Sequence, residues 1–122
     1  MAIRFRLFFM LLITSLLFSG CSASSDASEI DDMANSLEAA VKRELDKGNI
    51  AKADYFVSMM DGLKLEKKLI LASPEERLQK DLDALNKLMT QFQYEKVLKE
   101  NLPASQYQQL QQLRKKYKYI KD

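Results

Sequence analysis

The sequence contains no histidine and no tryptophan, and it has only one cysteine, three glycines and two prolines. Without histidine, no side chain with an ordinary pKa near neutral pH can act as a general base. The three scattered glycines form no glycine-rich loop that could hold a phosphate. The acidic residues do not follow the spacing of a calcium-binding loop. These absences predict a protein that is not an enzyme and that holds no metal ion and no cofactor.

The single cysteine, Cys21, closes an N-terminal segment with three distinct parts. Arg4 and Arg6 make its start positive, residues 7–18 form an apolar run of twelve residues, and small residues follow. This order is typical of a secretory signal peptide. The run is short for a permanent membrane-spanning helix, which needs about 20 apolar residues.

The residues before the cysteine resemble the lipobox of bacterial lipoproteins. Ser19 and Gly20 fit the two positions that precede the modified cysteine, and Phe18 stands where that pattern usually has leucine. The resemblance implies that Cys21 receives diacylglycerol and becomes the first residue after cleavage behind Gly20. Ser22 in place of aspartate implies, for a Gram-negative source, the periplasmic face of the outer membrane. The alternatives are plain secretion and an uncleaved helix.

The resulting organisation has three parts: residues 1–20 are the signal peptide, 21–28 carry the lipidated cysteine and a flexible tether, and 29–122 form one helical domain. A lipidated Cys21 leaves no thiol for a disulfide, so apolar packing must stabilise the domain. The exported location argues against nucleic acid as a partner. The expected partners are the membrane, through the lipid, and a protein of the cell envelope.

Charge is divided unevenly along the rest of the chain. Residues 22–61 carry nine acidic and four basic residues, a net charge of −5, whereas residues 62–122 carry eight acidic and thirteen basic residues, a net charge of +5. The two halves could attract each other within the chain or present two faces to different partners. We favour the first interpretation.

The apolar periodicity predicts an all-α fold, a small antiparallel bundle of about four helices. The first helix is expected to begin at a Ser28 cap and to stop at Gly48. The second begins at Ile50, and the sequence leaves open whether residues 50–72 form one helix or two. The apolar residues of these two segments recur every three or four positions: Ile30, Met33, Ala34, Leu37, Val41 and Leu45, then Ile50, Ala53, Phe56, Val57, Met60 and Leu63.

A third helix is expected to begin at Ser73-Pro74 and to run to Glu100, and a fourth from Pro103 to about Tyr117. The third contains a row of apolar residues at heptad spacing: Leu78, Leu82, Leu85, Met89 and Phe92. Two heptads are too short for a free coiled coil, so this row, called the heptad row below, is expected to face the rest of the bundle.

The basic C-terminal tail is the candidate binding site. Its residues for a partner surface or lipid phosphates are Arg114, Lys115, Lys116, Tyr117, Lys118, Tyr119 and Lys121. Cations and tyrosines together suit a membrane or an acidic surface. The alternative is a solvated helix end whose cations complement the negative helix terminus.

These features predict a non-enzymatic, lipid-anchored scaffold or adaptor, similar in design to the lipoproteins that pilot secretion channels. Two other classes stay open: an inhibitor or immunity-type lipoprotein that neutralises a toxin or hydrolase, and a binder of lipid or another apolar ligand.

Overall fold

The computed structural model describes the backbone of residues 2–120 and the side chains of residues 23–120. Over this part of the chain the fold is all-helical, as predicted, without a β-strand. A 3₁₀ turn, Pro74–Glu76, lies between the second and third of five α-helices. The helices are α1 (Ala2–Asp46), α2 (Ile50–Leu71), α3 (Gln79–Gln91), α4 (Tyr94–Asn101) and α5 (Ala104–Tyr117).

Helix α1 does not begin at Ser28, so that prediction is wrong. Residues 23–28 belong to the helix, and Ala27 is buried within it. Ala27 lies three residues before Ile30 and extends the same buried face by one turn, so packing rather than capping decides the helix length here. The described part of the expected flexible tether is therefore helical. The side chains of Arg4, Arg6, Gly20 and Cys21 lie outside the described residues.

The turn between α1 and α2 forms as the sequence predicts. Gly48 adopts the left-handed conformation with φ of 80°, and its N–H donates to the carbonyl of Leu45 at 3.0 Å. The side chain of Asn49 donates to Glu44 Oε2 at 2.9 Å. This hydrogen bond, helped by Lys52 and Lys47, lowers the pKa of Glu44.

Helix α2 is a single helix, which answers the question that the sequence left open. It passes through Gly62 without a break, and the packing at this position requires a residue that has no side chain. A β-carbon at this position would collide with the ring of Tyr94, which is fully buried against it. Glycine normally weakens a helix, and the close approach of the Tyr94 ring to the α2 backbone explains why it occurs here.

The predicted third helix is wrong at its start and in its continuity. Ser73 and Pro74 begin only the 3₁₀ turn, and the side chain of Ser73 makes no capping hydrogen bond. Arg77 and Leu78 are extended, and α3 begins only at Gln79. The Nε of Arg77 donates to the carbonyl of Leu69 at 3.1 Å. The last carbonyls of a helix lack partners within it, so this bond satisfies the end of α2 and holds the connecting segment in extended form.

A second interruption separates α3 from α4 at Gln93, which is left-handed with φ of 54°. The preceding carbonyl, that of Phe92, accepts a hydrogen bond from the hydroxyl of Tyr55 on α2. The break redirects the chain so that Tyr94 and Leu98 point into the core, where both are fully buried. The predicted end near Asn101 and the following helix to Tyr117 are confirmed.

The core lies mainly between α1 and α2, which contact each other most extensively, and α4 and α5 add to it. Apart from the neighbouring Lys64 and Asp61, two ion pairs of the described residues join the acidic and basic parts of the chain. Lys67 Nζ lies 2.9 Å from Asp31 Oδ1, and Lys116 Nζ lies 2.9 Å from Asp26 Oδ2. These pairs agree with charge complementarity inside the chain, although exposed pairs contribute little to stability.

Replacing Gly62 with alanine tests the contact with Tyr94. Helix propensity favours alanine by about 0.5–1 kcal/mol, whereas forcing a methyl group against a buried ring costs about 1–3 kcal/mol. We expect Gly62→Ala to lower the free energy of unfolding measured with urea. In a Tyr94→Leu background the same change should become neutral or stabilising. Equal effects in both backgrounds would contradict the proposed contact.

Candidate functional site

A buried carboxylate, Glu66 on α2, is the centre of the polar interior. Its side chain is fully shielded from solvent. The residue lies three positions after Leu63 and four before Ile70, both of which are buried. Helical spacing therefore places Glu66 on the apolar face, and a charge on that face must be paired to be tolerated.

The charge of Glu66 is balanced by Arg114 on α5. Arg114 Nε donates to Glu66 Oε1 at 2.6 Å, and Arg114 Nη2 donates to Glu66 Oε2 at 3.1 Å. The two parallel bonds form the bidentate geometry in which guanidinium and carboxylate groups interact most strongly. Arg114 is itself 7 % exposed, so both charges are withdrawn from water.

Two tyrosine hydroxyls complete the coordination of Glu66. Tyr94 of α4 donates to Oε2 at 2.5 Å, and Tyr119, two residues after the end of α5, donates to Oε1 at 2.9 Å. Each carboxylate oxygen thus accepts one bond from arginine and one from tyrosine. We call Glu66, Arg114, Tyr94 and Tyr119 the Glu66 network.

The far side of Arg114 meets a second carboxylate, Glu95. Arg114 Nη1 lies 2.5 Å from Glu95 Oε1. The hydroxyl of Tyr107 donates to Glu95 Oε2 at 2.9 Å, and the side chain of Gln111 donates to the same atom at 3.3 Å. This half-buried group connects the network to the outer face of α4 and α5.

The network has consistent effects on the pKa values of its members. Burial, and then the charge of Glu66, raise the pKa of Tyr94 and of Tyr119 well above the ordinary value for tyrosine. Burial alone would lower the pKa of Arg114, but the hydrogen bonds and charge of Glu66 outweigh it and raise that pKa. Both tyrosines therefore stay neutral and Arg114 stays charged at any physiological pH.

This arrangement is suited to holding helices together rather than to chemistry. The Glu66 oxygens already accept four hydrogen bonds. The raised pKa values keep the protons on Tyr94, Tyr119 and Arg114. A catalytic acid or base needs a pKa near the working pH and access to substrate, and Glu66 has no access. Among the side chains described, no group of three acidic or thiol residues is placed to hold a metal ion.

The structure distributes the predicted tail site over three environments. Arg114 and Tyr119 are buried in the Glu66 network, so they do not belong to an exposed basic surface. Lys116 Nζ and the Tyr117 hydroxyl both bind Asp26 Oδ2 on α1, at 2.9 Å and 2.5 Å. The hydrogen bond to Asp26 raises the pKa of Lys116.

The remaining members of the predicted site face solvent or lie outside the description. Lys115 and Lys118 are exposed. Lys118 is left-handed, with φ of 52°, and this turn directs the chain back so that Tyr119 reaches Glu66. Lys121 lies outside the described residues, as do the side chains of Gly20 and Cys21.

A groove runs between α3 and residues 118–120, and it is the candidate functional site. It encloses about 280 Å³. Leu82, Leu85 and Met89 of the heptad row line one side, and Tyr119 and Ile120 line the other. We call it the α3–tail groove. Sequence reasoning missed it because it assigned the heptad row to the interior.

No protein-family model, curated protein or solved structure matches this chain. Within the part of the chain searched, none of the helices has the length and apolar character needed to cross a membrane. The site is therefore interpreted from its own geometry.

Removing the carboxylate of Glu66 should strongly destabilise the fold. Glu66→Ala leaves the buried Arg114 without its bidentate partner, and breaking such a pair costs about 3–5 kcal/mol. Urea unfolding followed by circular dichroism measures this. The control is Glu38→Ala, which removes an exposed pair with Lys42 and should cost less than about 1 kcal/mol. Equal losses in the two variants would contradict the central role of the network.

The raised tyrosine pKa values predict a loss of stability in alkali. Above about pH 10 the unfolded chain releases phenolic protons that the folded chain retains, so unfolding becomes more favourable as pH rises. The slope approaches about 1.4 kcal/mol per pH unit for each buried tyrosine. Urea unfolding between about pH 8 and pH 11 should show a weaker decline for a Tyr94→Phe/Tyr119→Phe variant than for the wild type. Parallel declines would show that these hydroxyls are not protected.

Proposed function

We propose that the chain is a non-enzymatic, lipid-anchored protein at the periplasmic face of the bacterial outer membrane, where it holds a protein partner of the envelope. The signal-like N terminus ending at Cys21 supports the anchor. We further infer that the five helices act as one small antiparallel bundle outside the bilayer.

One observation carries the interaction role: the chain covers the heptad row only in part. Leu85 within α3 is 2 % exposed, whereas Leu78 and Phe92, which flank the helix, are 46 % and 42 % exposed. An apolar row left open beside a groove is typical of a surface that a partner covers. The Glu66 network supports the same proposal, because a partner-binding face needs a rigid support behind it.

A second candidate function is the binding of lipid or another apolar ligand. The α3–tail groove, with apolar walls on both sides, favours it. Its volume of about 280 Å³ is near the lower limit of small-molecule sites, so a protein side chain or short apolar segment fits better than an acyl chain. The inhibitor or immunity hypothesis stays a prediction that no contact favours.

The proposed function is tested by recovering the protein from crosslinked envelopes. We expect the wild-type chain in the outer-membrane fraction, carrying acyl mass and crosslinked reproducibly to one envelope protein. Cys21→Ala should lose the acyl mass, leave the membrane fraction and recover less of that protein. A wild-type chain that is always recovered alone would contradict the interaction role. A Cys21→Ala chain that stays in the membrane with unchanged mass would contradict the anchor.

A further inference from the structure

The heptad row resembles one half of a helix-to-helix interface. Its members within α3, which are Leu82, Leu85 and Met89, recur at steps of three and four, the spacing by which one helix meets another. The rest of the chain covers the middle of the row at Leu85 and leaves Leu82 and Met89 partly buried. Leu78 and Phe92, which flank α3 outside the helix, are exposed, so the row is open at its two ends and covered in its middle.

The α3–tail groove gives this row a concave shape. Tyr119 is fixed in the opposite wall by its hydrogen bond to Glu66, so the wall is held in place from inside the core. A second hollow of about 470 Å³ adjoins the groove and shares Met89, Lys118 and Ile120 with it. Together the two hollows extend the concave surface from α3 toward α5.

The rim of this surface is positively charged. Arg77 and Lys118 line the groove, and Lys115 lines the adjoining hollow. One carboxylate, Asp83, also lines the groove, and its Oδ1 accepts a hydrogen bond from Gln79 at 2.9 Å. Glu95 lines the adjoining hollow and contacts Arg114, but the charge of Arg114 already balances that of Glu66. The rim therefore carries three positive charges and two negative charges, those of Asp83 and Glu95.

From this geometry we propose that the α3–tail groove binds an acidic amphipathic helix of the envelope partner. The helix lays its apolar stripe on the part of the heptad row that lines the groove, and its carboxylates lie against Arg77, Lys115 and Lys118. Apolar anchors at helical spacing set the position, and opposite charges set the orientation. This inference rests on the proposed function and names the chemistry of the partner.

An anionic membrane surface fits the same residues less well. Lipid recognition by charge uses clusters of about four to eight cations on a face that can lie flat on the bilayer. Here three cations surround a concave apolar surface, and Asp83 lies among them. A membrane occupant is nevertheless a distinct outcome of the experiment below.

The test uses the full chain purified in nanodiscs of zwitterionic lipid and a fluorescent helical peptide of about 18 residues, or five turns. The peptide has leucine at heptad positions a and d and glutamate at e and g. Its comparison peptides carry lysine in place of glutamate, or the same residues in scrambled order. Fluorescence anisotropy measures binding, and we expect the acidic ordered peptide to bind most tightly.

Matched variants locate the binding surface. Met89→Glu places a charge in the groove and should weaken binding by at least about tenfold, whereas Ala84→Glu adds the same charge to an exposed position of α3 and should not. Lys115→Gln/Lys118→Gln should weaken binding, and Lys96→Gln/Lys99→Gln on α4 should not. Urea midpoints and circular dichroism confirm that each variant is folded.

Three results would overturn the groove assignment: equal binding of the acidic and lysine peptides, tight binding that survives Met89→Glu, or no peptide binding by the folded wild type. Strong attachment of the Cys21→Ala chain to phosphatidylglycerol vesicles, lost in Lys115→Gln/Lys118→Gln, would replace the helix with a membrane.

Crosslinked envelopes separate the two proposals. If the partner is recovered equally well with Met89→Glu and with the wild type, the groove assignment fails while the proposed function stands. If no partner is recovered with the wild type, the proposed function fails, regardless of whether the peptide binds.

Discussion

The structure depends above all on the buried pair formed by Glu66 and Arg114. Removing two such charges from water costs several kcal/mol for each ion unless the geometry is close and every polar atom is satisfied. Both oxygens of Glu66 therefore need their tyrosine donors as well as the guanidinium. Because the four members come from α2, α4, α5 and the residue pair after α5, one carboxylate fixes the register of three helices and the C-terminal turn.

The same pair determines which part of the molecule is left for partners. The pair holds Arg114 and Tyr119 in the core, so the residues of the basic tail do not form one charged surface. Helix α3 contributes nothing to the Glu66 network. It packs into the core through Leu85. The Lys68–Asp81 pair at 2.9 Å holds its start, and the hydrogen bond from Tyr55 to the carbonyl of Phe92 holds the residue after its end. Among the five helices, α3 contributes the fewest buried residues to the described structure, and it is the helix beside the partly open apolar row.

Local signals in the sequence predict part of this fold correctly. The Gly48 turn and the end before Pro103 are encoded by residues whose backbone preferences are strong. The break at Gln93 has no such residue and exists because Tyr94 must enter the core. The burial of Glu66 is not predicted, because a glutamate among lysines normally lies on the surface. Only its helical spacing from Leu63 and Ile70 indicates that it lies on the buried face. The cluster of basic residues in the tail likewise does not show which side chains face the core. Arg114 and Tyr119 point inward, whereas their neighbours Lys115 and Lys118 point outward.

The helical start of the described domain also constrains how the proposed anchor would hold it. Asp26 binds Lys116 and Tyr117, so the end of α5 lies beside the fifth residue after Cys21. Five helical residues span only about 8 Å along the axis. With Cys21 acylated as proposed, the end of α5 and the adjoining Lys118 lie close to the headgroups. The α3–tail groove begins at Lys118, so a helix that enters it does so near the membrane. The geometry thus favours a membrane-proximal segment of the partner.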